Sequence, residues 1–333
     1  MGYYIKGNTA NEVWREAGIM LLGENAIETK SRVGNTRELL HVTLCINNPE
    51  QRWITARKPP ISIALIISEL VCIFNGCDDS AILNFWNPTL PKYAGNKINY
   101  PGAYGKRLCE EFGINQFERA YLALKNNPNN RQTVLLIWNP LKDMPDEDGN
   151  PADSDIPCNI ISMLKVRDDK LYWSQIMRSS DLYRGLPIDI AHFTAIQEIM
   201  AGWLGLQVGE YTHYCDSLHL YVSDNEKLQI TQTSEEQNSL DLKTCKEQFD
   251  KIISEIFKRM QYISLNSFDE KEIIKIGILE SGVGVYDDIM IILAAYAANK
   301  NGWKETVADL LRYRKDNLLF KMFDNWSEDR NGR

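Results

Sequence analysis

The sequence predicts an α+β fold: one large mixed sheet flanked by helices, with a helical C-terminal extension. Three observations predict it. Runs of β-branched and aliphatic residues occupy 39–46, 132–138, 159–166 and 171–177. Apolar residues recur at helical spacing before, between and after these runs. From about Ser234 the chain becomes rich in Lys and Glu while keeping that helical period.

Taken in order, 11–26 reads as an amphipathic helix and 39–46 as a strand of Leu, Val and Thr. Pro59-Pro60 breaks the chain, and 61–75 has the length and apolar density of a buried helix that stops at Gly76. The segment 84–104 is rich in Pro, Gly and Asn and reads as a loop. A helix over 117–125 stops at Asn126-Asn127-Pro128, and a strand over 132–138 leads to an acidic loop over 144–155. Strands 159–166 and 171–177 are joined by Arg167-Asp168-Asp169-Lys170 as a hairpin. A helix over 190–204 ends at Gly205, and 245–262 and 287–298 are helical. The expected division is a catalytic core over 1–230 and a helical extension over 231–333 packed on it.

Composition excludes several function classes. The chain has 333 residues, 44 % apolar and 25 % charged, which is globular and rules out wholesale disorder. Its 45 acidic against 37 basic residues give a net charge of −8, wrong for general nucleic-acid binding. A small anionic ligand held by a few arginines is compatible with that balance. Seven cysteines without a CxxC pair point to reduced thiols and a cytoplasmic protein. The N-terminus lacks a signal-peptide run. The longest apolar stretch, 61–74, is too short to span a bilayer and is interrupted by Ser62, Ser68 and Glu69. Four histidines show no metal-ligand spacing, so no metal is expected.

Cys158 carries the first chemical signal. It follows Pro157 at the end of a polar loop and begins a strand, where a thiol can be accessible while its backbone is fixed. A cysteine alone is more often a small buried hydrophobe. Its company argues otherwise: Arg178-Ser179-Ser180-Asp181 lies one hairpin away, and Gly185-Leu186-Pro187-Ile188-Asp189-Ile190-Ala191 follows. A nearby arginine raises the thiolate fraction.

These motifs, with His219-Leu220-Tyr221, resemble the thymidylate synthase family in order and spacing. Upstream, Ser31-Arg32-Val33-Gly34-Asn35-Thr36 resembles its phosphate loop, Ile67-Ser68-Glu69-Leu70 its glutamate-bearing helix, Tyr104-Gly105 its YG motif, and Arg131 with Trp138-Asn139-Pro140 its next strand. The resemblance covers roughly residues 12 to 225. It implies a thiolate, Cys158, that adds to C6 of a pyrimidine nucleoside monophosphate, with 5,10-methylenetetrahydrofolate as cosubstrate. It further implies that Glu69, Tyr104 and Asn139 organise water and protons, and that Arg32, Arg178 and Ser179 hold the phosphate. Arg131 would reach the phosphate from the partner subunit of a homodimer. His219 and Tyr221 would hold the ribose, while Asp181, Trp86 and Gly185 would meet the folate.

The departures from the pattern carry specificity. Thymidylate synthases have Asn where this chain has Asp189, and the family's cytidylate hydroxymethylases have Asp. A carboxylate can accept from the cytosine 4-amino group, whereas against uracil O4 it would set two acceptors face to face. Asn159 replaces the family's His after the nucleophile, Met177 its Gln, and Gln132 the second arginine of its pair. The family's short apolar C-terminal tail is missing, which suits capture of the one-carbon unit by water rather than hydride. The resemblance therefore implies a cytidylate 5-hydroxymethylase. Its long helical extension resembles the CMP-acting enzymes more than the compact dCMP-acting ones. The alternatives are a synthase that methylates dUMP and a homologue that binds nucleotide without turnover.

Overall fold

The computed structural model describes residues 2–31, 34–228, 237–312 and 318–331. The chain forms two compact units. The first comprises Met1–Pro59, Gln116–Trp138 and Pro157–Asn238; the second comprises Pro60–Asn115, Asn139–Ile156 and Ser239–Arg333.

The first unit is built on a mixed sheet of eight strands: β1 (Tyr3–Gly7), β2 (Ile27–Lys30), β3 (Asn35–Ile46), β4 (Val134–Leu136), β5 (Asn159–Arg167), β6 (Lys170–Met177), β7 (Ser180–Asp181) and β8 (Gln207–Tyr221). Their order is β1-β3-β8-β6-β5-β4, with β2 on β3 and β7 on β8. The expected hairpin joins β5 to β6. Asp168 and Asp169 both take positive φ, at 49° and 54°, the two-residue turn whose twist matches paired strands. The helix Leu186–Leu204 starts with Pro187 in its first turn, is buried almost all round, and ends at Gly205 in the left-handed region at φ 67°. The helix Ala10–Leu22 is capped by the Thr9 side chain and buries Val13, Trp14, Ala17 and Leu21.

The second unit is helical. The helix Ile63–Phe74 is capped by Ser62 and approached closely by the helix Tyr104–Cys109. A Cβ at Gly105 would sit 2.5 Å from the Cys72 carbonyl oxygen, so only glycine fits there. The C-terminal part supplies the helices Lys246–Leu265, Glu270–Gly277, Gly284–Lys300, Lys304–Leu311 and Leu318–Asn331. Phe249 packs edge-on to Phe74 at 4.8 Å, and Tyr296 packs against both Trp86 and Trp326. Arg107 and Asp143, both buried, form a bidentate pair at 2.8 and 2.9 Å.

Two sequence expectations change. The loop expected over 84–104 contains the end of the helix Ser80–Trp86 and the short helix Pro91–Ala94; the Asp79 carboxylate caps the first of these by accepting from Ala81 and Ile82 N–H. The strand expected over 132–138 is only Val134–Leu136. Among the described residues no helix is long and apolar enough to cross a membrane, and no cluster could hold a metal.

Candidate active site

In the first unit, one end of the sheet gathers the thiol, an arginine and a set of polar side chains. Cys158 lies just before β5 and is partly exposed. Arg178, just after β6, donates its backbone N–H to the Cys158 carbonyl oxygen at 3.0 Å, closing the two strand ends together. Its side chain points back: Nε donates to the Pro157 carbonyl at 3.0 Å, and one terminal nitrogen lies 3.7 Å from Cys158 Sγ. A guanidinium so close stabilises negative charge on sulfur.

The two residues of β7 pair with β8, which sets Asp181 beside His219. Asp181 Oδ1 accepts from Tyr183 and Arg184 N–H, both at 2.8 Å. Its Oδ2 is buried without a hydrogen-bond partner, 4.0 Å from His219 Nε2. Burial pushes the Asp181 carboxyl above its usual range, against the pull of those two backbone bonds and of His219. Burial also lowers the His219 pKa, despite the Asp181 charge. His219 Nδ1 is 3.4 Å from Ser179 Oγ, and its ring meets Tyr221 edge-on at 5.6 Å. Gly185 caps the helix Leu186–Leu204, and a side chain there would begin 3.6 Å from Asp189 Oδ2. Asp189, 8 % exposed, accepts on Oδ1 from Asn159 Nδ2 at 3.1 Å, which ties it to the residue after the nucleophile. Cys158, Arg178, Ser179, Asp181, Gly185, Asp189, His219 and Tyr221 thus belong to one unit. Arg131 is exposed just before β4, with Gln132 beside it. Arg32 lies outside the described residues.

One residue of this region escapes sequence reasoning. Arg184 donates to Asp224 Oδ2 at 2.8 Å and lies over the Tyr221 ring at 4.3 Å. The signal available was its place between the RSxD and GLP motifs.

The remaining expected residues lie in the second unit. Glu69 sits on the helix Ile63–Phe74 and accepts from Asn87 Nδ2 at 3.2 Å. Burial pushes its carboxyl up to about 7, with the Asn87 bond pulling the other way. A group poised near neutrality can both give and take a proton. Tyr104 opens the helix Tyr104–Cys109 and is half-buried. Asn139 Oδ1 accepts from Leu141 N–H at 3.1 Å, which caps the helix Pro140–Asp143, and its Nδ2 donates to Glu111 at 2.8 Å. Trp86 is 2 % exposed and packs on Tyr296.

The Glu69 environment gives a pH signature. Its folded pKa exceeds the ordinary carboxylate value, so the folded state holds a proton that the unfolded state releases between about pH 4.5 and 7. Wild type should lose stability relative to Glu69→Gln as pH rises through that window, by on the order of 2–3 kcal/mol. Denaturation curves for both proteins from pH 4 to 8 check this; a constant difference would mean that Glu69 titrates alike in the folded and unfolded states.

The profile of the family described as "Thymidylate synthase" matches residues 20–278, a span that contains every site residue named above. The deoxyuridylate hydroxymethyltransferase of Bacillus phage SP01 is 31 % identical over 199 residues, 56 % of this chain and 51 % of that protein. A Methanothermobacter thermautotrophicus protein, provisionally named a thymidylate synthase, is 29 % identical over 143 residues, 41 % of this chain and 61 % of that protein. The deoxyuridylate hydroxymethyltransferase of Delftia phage PhiW-14 is 26 % identical over 217 residues, 62 % of this chain and 58 % of that protein. The chain spans between about half and three fifths of the length of these relatives. With a thiol and an arginine clasped at the β5–β6 end, and a profile match over most of its length, this chain belongs to the thymidylate synthase family.

Proposed function

We propose that the chain is a folate-dependent 5-hydroxymethylase of a cytidine monophosphate, CMP in preference to dCMP. Asp189 carries the reading: a carboxylate bonded to the residue after Cys158, in the turn where the family's synthases carry Asn. It accepts from the cytosine 4-amino group and would oppose uracil O4.

Each residue then has a task. Cys158 Sγ adds to C6, which makes C5 nucleophilic. 5,10-Methylenetetrahydrofolate, when bound, supplies a one-carbon unit at the oxidation level of formaldehyde. C5 gains that carbon and loses its proton, water adds to the new exocyclic carbon, and Cys158 leaves. Nucleotide, methylenetetrahydrofolate and water give hydroxymethyl nucleotide and tetrahydrofolate, with no change in oxidation state. Glu69 moves protons, and Tyr104 supports it. Arg178, Ser179 and Arg32 bind phosphate, and His219 and Tyr221 the ribose hydroxyl. The buried Asp181 Oδ2 suits the N–H edge of the pterin, beside Gly185.

Homodimer formation is part of the proposal. On one sheet face Ile161 and Met163 of β5 and Tyr172 and Ile176 of β6 alternate with buried neighbours yet stay half-exposed, an apolar area that a second copy would cover. Exposed Arg131 would then reach the partner's phosphate. Seven cysteines, none of them in a disulfide, support a reducing, cytoplasmic setting, and the acidic balance supports small-molecule partners rather than nucleic acid or membrane.

A uridylate hydroxymethylase is the second reading, favoured by the names of the two phage relatives. Incubation with CMP, dCMP or dUMP plus methylenetetrahydrofolate separates the readings. A hydroxymethylated cytosine with tetrahydrofolate supports the proposal. A hydroxymethylated uracil supports the second reading, dihydrofolate with a methylated base indicates a synthase, and binding without product indicates a nucleotide-binding homologue.

Arg178→Ala should weaken nucleotide binding far more than nucleoside binding, by roughly 1.5–3 kcal/mol for a lost hydrogen bond to a charged group. Titrations of CMP and cytidine check it; equal losses would mean the arginine acts only through the β5–β6 closure.

A further inference from the structure

Two strands and a helix line up five side chains inside the first unit. Asn159 begins β5, Trp173 and Gln175 are alternate residues of β6, and Ser162 faces Gln175 across the register. Asp189 comes from the first turn of the helix Leu186–Leu204. Trp173 Nε1 donates to Gln175 Oε1 at 3.1 Å, and Ser162 Oγ donates to the same oxygen at 2.6 Å. Gln175 Nε2 donates to Asn159 Oδ1 at 2.8 Å, and Asn159 Nδ2 donates to Asp189 Oδ1 at 3.1 Å. Asn159, Gln175 and Ser162 are fully buried and Trp173 nearly so.

This line has a direction. An indole N–H can only donate, so Gln175 must turn its oxygen to Trp173 and its NH2 to Asn159. Asn159 must then turn its oxygen to Gln175 and its NH2 to Asp189. Reversing either amide would set buried donors or acceptors against each other, which is costly in a dry interior. Asp189 Oδ1 therefore always meets a donor.

We propose that Trp173, Gln175 and Asn159 are positioning residues, a polarity relay that fixes which hydrogen-bonding character position 189 turns toward the pyrimidine edge. The inference rests on the reading of Asp189 as base reader and deepens it. A carboxylate at this position offers an acceptor to the base, as the cytosine amino group requires. The amide introduced by Asp189→Asn must give its oxygen to Asn159 and its NH2 to the base, as uracil O4 requires. Without the relay that amide could flip and serve either base.

Reversing the relay tests it. Gln175→Glu keeps the acceptor for Trp173 and Ser162 but replaces the NH2 with a second acceptor. Asn159 must then turn its NH2 to position 175 and its oxygen to position 189. In the Gln175→Glu/Asp189→Asn double variant, the amide at 189 donates to Asn159 and offers its oxygen to the base. The measurement is the ratio of CMP to UMP dissociation constants, without folate, for wild type, D189N and the double variant. Sugar and phosphate cancel in that ratio, so a merely structural role would weaken both nucleotides alike. D189N is expected to favour UMP, and the double variant to swing back toward CMP by roughly tenfold or more relative to D189N. A double variant that keeps the D189N ratio overturns the relay. Should the buried glutamate prevent folding, Trp173→Phe on the D189N background removes the obligate donor. It is expected to shrink the UMP preference several-fold, and an unchanged preference overturns the relay equally. Failure of the base-reader assignment looks different: wild type and D189N would then share one ratio, and the relay would fall with it.

Discussion

Cys158→Ser is expected to abolish turnover, by on the order of 10⁴-fold or more, while CMP binding survives. A serine hydroxyl is too weakly acidic to present an oxyanion to C6 at neutral pH, whereas the thiol sits 3.7 Å from a guanidinium nitrogen of Arg178. Binding should persist because Arg178 is also held by the Pro157 carbonyl and by the backbone bond to Cys158, neither of which involves sulfur. Single-turnover kinetics together with CMP titration check both halves. Near-normal turnover by the serine variant would remove Cys158 from the chemistry and leave it a packing residue.

Asp189→Asn should reverse base preference. The mismatch created by facing an acceptor with an acceptor, or a donor with a donor, is worth about 1–3 kcal/mol in a buried site. The ratio of kcat/KM for CMP to that for UMP should therefore fall by roughly tenfold to a hundredfold or more. Paired kcat/KM values on wild type and variant, with the same sugar, check it. An unchanged ratio would mean that Asp189 does not read the base.

How much of this was legible depended on where the determinants lie in the chain. Pro157-Cys158, Arg178-Ser179-Ser180-Asp181 and the turn carrying Asp189 are contiguous motifs, so their residues could be named from sequence, and the β5–β6 hairpin between them was visible from its strand runs and its Asp168-Asp169 turn. β8 does not announce itself as a strand in the sequence, although its 15 residues pair with both β3 and β6. Its inward positions include Tyr211, His213 and Cys215, and polar or mixed residues facing inward blur the alternation that marks a half-buried strand. β1 and β2 are short, and β1 is held through parallel pairing with residues 42–46, a partnership that no local pattern announces.

Side-chain commitments were harder still. Asn139 occupies its motif position, yet its amide is engaged by Leu141 and Glu111, the latter from a distant segment. Trp86 is buried by Tyr296, more than two hundred residues away in the chain. The Asn159–Gln175 bond joins β5 to β6 off the register, where Asn159 faces Met177 and Gln175 faces Ser162, so no strand pattern announces that these two side chains belong together. Sequence motifs identify which residue types are available; packing decides which of their atoms remain for a ligand.

The most direct test of the central claim is the fate of water oxygen in a single turnover of wild type with CMP and methylenetetrahydrofolate in ¹⁸O-labelled water. The account predicts 5-hydroxymethyl-CMP carrying the label on its new hydroxyl, formed together with tetrahydrofolate. Unlabelled 5-methyl product with dihydrofolate, or product only from a uridylate, would contradict it.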